Sequence, residues 1–550
     1  MTNSSRGRNA LKTAPVILVL ASLLSACSSS NDPADAVASA LGLGKGKGNG
    51  KVSQVPPSPT PTPTSTPAPA PSVAAVYDTS VGIGVDSTGF ANLPLRTGAH
   101  RYFVNSATGS DTNGCSGAQA PTKPLKTINA AKACLVLGNG DQVLIAEGTT
   151  YAEGLTNLQA QMGYSAEYPT VIQSYDPADP ANEAKYGHAG QGRRPVVNTG
   201  GGAQQITCCG SNHNQFLAIR GLDFNPGDKP DQGISFVGTT DYILLENNLF
   251  RYTAVGFDIG GSGRSSHHIL RHNSFYGQWS PTGSTGGIYD AGTDVAVIED
   301  NVFWHTGWRL GVTRDTDVTL GGPTYFRHPI YQQTNSIGFT IRRNIFMDGA
   351  ADGGSLRNNV VFTENVSIDD PIGVGVGGQI TGGSSSEVSY NAFLGDADVN
   401  TTYPRGDAIW AINGQTGSAI HNNLILRRRD PASLNGYAFH LEANLGNIST
   451  FDVHHNTIYL WASASANNTL SEIGGTALRP TYNYNVWDAP SSGTNTNNGS
   501  KSFPIPYTRD QMFAALGCTD KPGCAALMIE TPELGWGIKA RTLLWQGYGL

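Results

Sequence analysis

The chain has 550 residues, a formal net charge of −7, and 68 glycines and 31 prolines with only 14% charged residues. An acidic balance of this kind argues against a nucleic-acid partner, which needs clustered Lys and Arg on one face. The length alone predicts two or three globular domains, unless an internal repeat merges them into one body.

The first element is a leader. Arg6, Arg8 and Lys12 precede the apolar run "APVILVLASLL", which ends in "LSAC" at Cys27. That run is too short to span a bilayer as a mature helix, so residues 1–27 read as an export signal. "LSAC" resembles the lipobox of bacterial lipoproteins. The resemblance implies cleavage before Cys27, lipid on its sulfur and new amino terminus, and a membrane anchor; Ser28 rather than Asp next to it favours the outer membrane. Residues 28–97 read as a stalk. "GLGKGKGNGK" is flexible and "PPSPTPTPTSTPAPAP" extends as polyproline II.

Six cysteines follow in what is then an oxidising compartment. Cys115 with Cys134, and Cys518 with Cys524, bracket short loops and read as disulfides. The adjacent Cys208 and Cys209 form either a vicinal bridge or, as the simpler reading, buried thiols. The sequence holds no CxxC pair and no HExxH, so zinc has no motif here.

From residue 243 to 487 one pattern recurs: alternating apolar and polar residues, an Asn, any residue, then an apolar one. The copies include "ILLENNLF", "ILRHNSF", "VIEDNVF", "TIRRNIF", "VSYNAF" and "VHHNTI". The asparagines are Asn248, Asn273, Asn301, Asn344, Asn365, Asn391, Asn423, Asn456 and Asn485. One short-strand period with one Asn, repeated every 21 to 43 residues, describes a solenoid of β-strands. Asn tolerates the left-handed backbone of a tight turn, and its amide can bond to the next copy. No segment keeps a 3.6-residue apolar period, which excludes a helical solenoid. A propeller would need four strands in each period of about 40 residues, at more regular spacing.

With that repeat, the entry segment "RYFVNSATGSDTNGCSGAQAPTKPLKTINAAKACLVLGNGDQVLIAEGTTYAEGL" (101–155) resembles the start of the right-handed, pectate-lyase-like β-helix proteins. The resemblance covers roughly residues 100–490. It implies an all-β, single-domain right-handed parallel β-helix over residues 98–500, with an N-terminal capping helix. Residues 501–550 are expected to cap or flank the last coil. The fold carries lyases, hydrolases, epimerases and phage tailspikes, so it does not by itself give a reaction.

Stacked coils place equivalent residues in outward columns about 4.8 Å apart. Aligning the coils on their asparagines predicts a column of Asp258, Tyr289, Tyr331, Ser355 or Arg357, a glycine, Trp410 and His440. Aromatic faces and charged tips in one row suit a sugar chain, so Asp258, Tyr289, Arg327, Gln332, Trp410 and His440 are read as substrate-binding. The longest period lies between Asn301 and Asn344, and its extra loop rises just before "YFRHPIYQQTN". Long loops on rigid scaffolds carry function.

His328, Tyr331 and Arg357 supply the parts of a polysaccharide lyase. Arg357 pairs with a uronate carboxylate, His328 takes a proton, and Tyr331 returns one to the leaving oxygen. "H-x-x-Y" followed one coil later by a basic residue is similar to a motif of related β-helix enzymes. No Lys occurs between Lys229 and Lys501, so a lysine base is excluded from this groove. The alternative enzyme is an inverting hydrolase using two of Asp290, Asp352 and Asp407. A third reading is a non-enzymatic surface glycan-binding protein. Asp258 and Asp290 leave room for Ca2+, with no other cofactor indicated. The expected partners are an acidic polysaccharide and, through Cys27, a membrane, with the protein itself a monomer.

Overall fold

The computed structural model describes residues 83–550 except 87, 157, 159–162, 191, 199–205, 209–213, 230–231, 259–263, 283–285, 379–382, 396–397, 403–404, 415–416, 427–435, 445–447, 460, 462–469, 488–498, 501–508 and 549. Cys27, Cys209 and the leader lie outside the described residues, as does the side chain of Cys208.

Among the described residues three sheets of 13, 11 and 13 strands run the length of the coils, and the strand pairs are parallel. Strands from the same position in successive coils are neighbours, which is the connectivity of a parallel β-helix. The repeat built from asparagines is thus the geometric repeat of the fold. Among the described residues the one antiparallel contact is a bridge between Val85 and Ala91, outside the coils.

Inside the coils, side chains of equivalent position stack. Phe224, Phe250, Phe275, Phe303 and Phe346 form a column with centroids 4.7 to 5.3 Å apart. Each is essentially fully buried. The asparagines form a second column. Asn273 donates its backbone N–H to Oδ1 of Asn301 at 2.8 Å, and its Nδ2 to the same oxygen at 3.1 Å and to the Leu245 carbonyl at 2.8 Å. The same bonds repeat from Asn248 to Asn485.

The left-handed backbone falls one residue earlier than the sequence reading placed it. Asn247, His272, Asp300, Arg343, Glu364, Tyr390, Asn422, His455 and Tyr484 have φ between 54° and 58°, whereas the ladder asparagines do not. A non-glycine residue at such φ costs about 1–3 kcal/mol. The buried amide bonds of the following Asn offset that cost at every corner.

The ends differ from expectation in two ways. The N-terminal helix α1 (Ile128–Lys132) has only five residues, and Ile128 and Ala131 close the core there. The longer helices are C-terminal: α2 (Arg509–Ala515), α3 (Lys521–Glu530) and α4 (Trp536–Gly547). They lie along the third sheet, where Met512, Phe513, Met528 and Leu544 pack on Leu249, Val302, Ile345 and Val366. Arg251 reaches Glu530 at 2.7 Å, and Lys521 reaches Asp369 at 2.8 Å and Asp348 at 3.0 Å. An outward apolar row on that sheet needs a cover, and it runs from Leu249 to Val486 in the last coils.

The stalk also ends earlier than residue 97. Ile83, Ala91 and Leu93 are buried against Val171, Ala218, Leu244 and Ile269 of the first sheet. The Ala91 N–H donates to the buried Glu246 carboxylate at 2.9 Å. Disulfides join Cys115 to Cys134 and Cys518 to Cys524.

Candidate active site

The second sheet presents the groove. Its relevant strands are β1 (Thr253–Asp258), β2 (Ile288–Ala291), β3 (Ile330–Gln332), β4 (Ser355–Leu356), β5 (Ile372–Gly377), β6 (Asp407–Ile412) and β7 (Phe439–Glu442). The register aligns Gly256, Tyr289, Tyr331, Ser355, Gly375, Trp410 and His440 in one outward row. Asp258 is not in it. It pairs with Ala291, two residues further along, because Gly256 holds the place beside Tyr289. The side chain of Asp258 lies outside the described residues.

A second row lies three residues upstream, on the same face. A bridge pairs Asp352 with Ile372, and Ile372 pairs with Asp407. Continuing the register from Tyr331 and Ser355 puts His328 beside Asp352, and their side chains meet: His328 Nδ1 lies 2.9 Å from Asp352 Oδ1. Both are buried. A carboxylate only accepts, so the shared hydrogen sits on Nδ1 and the Nε2 lone pair is left for chemistry.

Tyr331 stacks on this histidine with ring centroids 5.2 Å apart, and on Tyr289 at 5.8 Å with nearly parallel planes. Arg357 follows β4 directly and lies two residues past Ser355. Its guanidinium sits 5.4 Å from the centre of the Tyr331 ring. The three residues singled out from the sequence therefore form one contiguous cluster.

The other sequence candidates divide. Arg327 is fully buried and donates to the carbonyls of Gly307 and Gly322, at 3.3 and 3.1 Å. It pins the long loop instead of binding substrate. Gln332 is equally buried, because it alternates with Tyr331 and points away from the groove; it bonds the carbonyls of Ser336 and Asn358. Asp290 also sits on the inner side of Tyr289. Its carboxylate accepts from Ser336 Oγ, from the Gly292 N–H at 3.2 Å and from the Thr293 N–H at 3.1 Å, and burial raises its pKa. The Asp290 carboxylate is thus turned away from the groove and used by its own turn. Among the described residues no group of three or more His, Cys, Asp or Glu side chains is arranged to hold a metal ion.

Trp410 and His440 stand where the alignment put them, their rings 5.8 Å apart. Around them is a set the sequence reading missed. His440 Nδ1 is 3.0 Å from Asp407 Oδ2, and its Nε2 is 3.0 Å from Glu442 Oε1. Burial alone would lower the pKa of His440, but these two carboxylates raise it to about 9. Trp410 Nε1 donates to Glu442 at 2.9 Å. The Arg405 guanidinium lies 5.0 Å from the Tyr325 ring and 5.1 Å from the Trp410 ring.

Tyr325 arrives on the extra loop, which is fixed at several points. Arg309 bonds Asp228 at 2.9 Å, Trp308 Nε1 bonds the Asp348 carbonyl at 2.7 Å, and Asp315 accepts from the Thr401 N–H at 2.9 Å. The loop is a wall of the groove. Asp352 could have been found as the partner of His328 from spacing, since the two are 24 residues apart, as are Tyr331 and Ser355 in register.

A family model described as a right handed beta helix region matches residues 210–393. With the parallel three-sheet topology, it gives the coils the fold of a right-handed parallel β-helix. Among solved structures, the chain is similar to the GH136 lacto-N-biosidase from Eubacterium ramulus at 12% identity, covering 69% of this chain and 68% of that one, with a TM-score of 0.41. An alginate lyase from Paenibacillus sp. str. FPU-7 is 15% identical over 63% of this chain and 97% of its own, with a TM-score of 0.33. A rhamnogalacturonan lyase is 13% identical over 78% and 94%, with a TM-score of 0.34. No curated protein matches the sequence.

Proposed function

We propose that the groove cleaves a uronate-containing polysaccharide by β-elimination. The observation that carries this reading is the contiguous cluster of His328, Tyr331 and Arg357, with His328 held by Asp352. Elimination needs a base for the proton at C5, a cation for the carboxylate whose charge grows as that proton leaves, and an acid for the departing glycosidic oxygen. His328 Nε2 is the base, with Asp352 fixing its tautomer. Arg357 is the cation, able to make a bidentate pair with the carboxylate. Tyr331 is the acid, its hydroxyl hydrogen passing to the leaving oxygen. The C5–H and C4–O bonds break, and a C4–C5 double bond forms. An ultraviolet-absorbing unsaturated end on digestion of acidic polysaccharides tests the reading; saturated ends would refute it.

One observation favours a second reading. Asp352 and Asp407 are two strands apart in one row, which separates their backbones by about 9.6 Å, two spacings of about 4.8 Å. Inverting hydrolases place their carboxyls about 6.5–9.5 Å apart. Against it, each of these aspartates is hydrogen-bonded to a histidine. A purely glycan-binding surface would use the aromatic row but has no need of a buried His–Asp pair.

The lipid anchor at Cys27 and export to the outer membrane belong to the same proposal, since an acidic polysaccharide substrate lies outside the cytoplasm. Cys27→Ser should release the protein from the membrane fraction, because one acyl chain gives marginal binding and the lipobox would supply more. Unchanged fractionation of that variant would count against the anchor.

A further inference from the structure

The floor of the groove changes character at β5. A strand lining an open groove leaves every second residue exposed to solvent. On one side of Tyr331 the strands do so. Gly233, Ser235, Ala254, Gly256 and Tyr289 are half-buried and alternate with the buried Ile234, Val255 and Ile288. On the other side every residue from Pro371 to Gly378 is buried. The outward place on β5 is Gly375, between Ser355 and Trp410. It has no side chain, so what buries this strand comes from its neighbours.

Groups from both adjacent strands and from the extra loop supply the cover. A Cβ on Gly375 would lie 3.9 Å from Trp410 Cε3 and 3.7 Å from Asp352 Oδ2, so the indole leans back over the bare floor. A Cβ on Gly378 would lie 3.0 Å from Arg357 Cδ and Nη1, so that side chain leans forward over the same coil. Tyr325 arrives on the loop just before His328, yet its ring is 5.9 Å from Trp410, which stands three strands beyond Tyr331. Arg405 sits 5.0 Å from the Tyr325 ring and 5.1 Å from the Trp410 ring, and cation–π attraction clamps the two. Trp410 is held further by its bond to Glu442 at 2.9 Å. Together they form a wall across the groove. It stands two strands from Tyr331, about 9.6 Å or about two sugar units along the groove.

We infer that β5 closes one end of the groove, so that the enzyme shortens its polysaccharide from a chain end and releases mono- or disaccharides. A chain bound at His328 continues past Tyr289 and Gly256, where the described floor residues reach solvent. Towards β5 it has room for about two sugar units. The inference rests on the reading that this groove cleaves a polysaccharide, whichever bond chemistry it uses. It gives Trp410, Tyr325 and Arg405 the task of setting product length.

The test is the time course of products made by the full chain from alginate, polygalacturonate and hyaluronan. Product size is read by size-exclusion chromatography, chain scission by viscometry, and unsaturated ends by ultraviolet absorbance. The first products of the wild type should be mono- and disaccharides, with the fall in viscosity lagging behind their release. Trp410→Ala removes the wall and Tyr325→Ala loosens its clamp, so both should shift the first products to trisaccharides and longer. Tyr325 is a half-buried loop residue, so its variant guards against a folding defect in Trp410→Ala. Long oligosaccharides of mixed size from the wild type at the outset, with an immediate fall in viscosity, would overturn the closed end. Folded variants that keep the wild-type product lengths would overturn it too. The ends of the products separate the two proposals. Saturated mono- and disaccharides keep the closed end and refute elimination, whereas unsaturated oligosaccharides of mixed length at the outset keep elimination and refute the closed end.

Discussion

His328 Nδ1 lies 2.9 Å from Asp352 Oδ1, although a whole coil of 24 residues separates them in the chain. The pair exists because stacking brings one coil's strand entrance directly over the next. It changes what a substitution at Asp352 means, since the carboxylate is needed both by a histidine base and by a carboxylate-pair hydrolase.

His328→Ala should lower kcat by about a hundredfold or more, the usual loss of a general base. Asp352→Asn acts through the histidine and should lower kcat by roughly tenfold or more with KM little changed, because the imidazole is no longer held in one tautomer. Asp407→Asn is the discriminating variant. Under elimination it raises KM and spares kcat; a kcat collapse equal to that of Asp352→Asn would favour hydrolysis.

Arg357→Lys should reduce kcat/KM by about a hundredfold, because a point charge cannot make the bidentate carboxylate pair. Tyr331→Phe keeps the stacking on Tyr289 and His328, so it should fold normally while losing about a hundredfold in kcat. Steady-state kinetics beside a thermal melt of each variant check both statements. An active Tyr331→Phe enzyme would remove Tyr331 as the acid.

His440 gives a pH-dependent contribution to stability. Its folded pKa of about 9 lies above the ordinary histidine value, so the folded chain keeps a proton that the unfolded chain releases between about pH 6.5 and about 9. The stabilisation is complete below that window and lost as pH rises through it, to a total on the order of 3 kcal/mol. Urea unfolding at about pH 6 and about pH 10 should show His440→Gln well below the wild type at the lower pH and close to it at the higher. A deficit independent of pH would contradict the assignment.

The Asn ladder predicts a localised but large loss. Asn301 accepts two bonds from Asn273 and donates to the Leu270 carbonyl and to Asn344, all within the core. Asn301→Ala leaves these buried partners unsatisfied and should destabilise by about 3 kcal/mol or more. Phe303→Ala, from the middle of the aromatic column, should lose about 3–5 kcal/mol through its cavity. Denaturant midpoints at constant slope would check both.

What the sequence determined by itself was the solenoid. The alternation of apolar residues and the recurring Asn report short-range physics, a pleated strand followed by a tight corner, and the coil adds the same bonds each time. The cluster of His328, Tyr331 and Arg357 was legible for the same reason, since residues one coil apart in the repeat are neighbours in space. Only the tertiary structure decided which face each residue serves. Arg327 and Gln332 sit beside groove residues in sequence, yet the two-residue alternation of a strand turns Gln332 inward and the loop carbonyls claim Arg327. Asp258 fell out of its row because alignment on the asparagines cannot measure corners of unequal length. The C-terminal helices carry no repeat signal, so their place along the third sheet came from an outward apolar row in residues far away in the chain. The partners of His440 and the bare floor at Gly375 were hidden likewise: each depends on the register of three successive strands, which no single stretch of sequence contains.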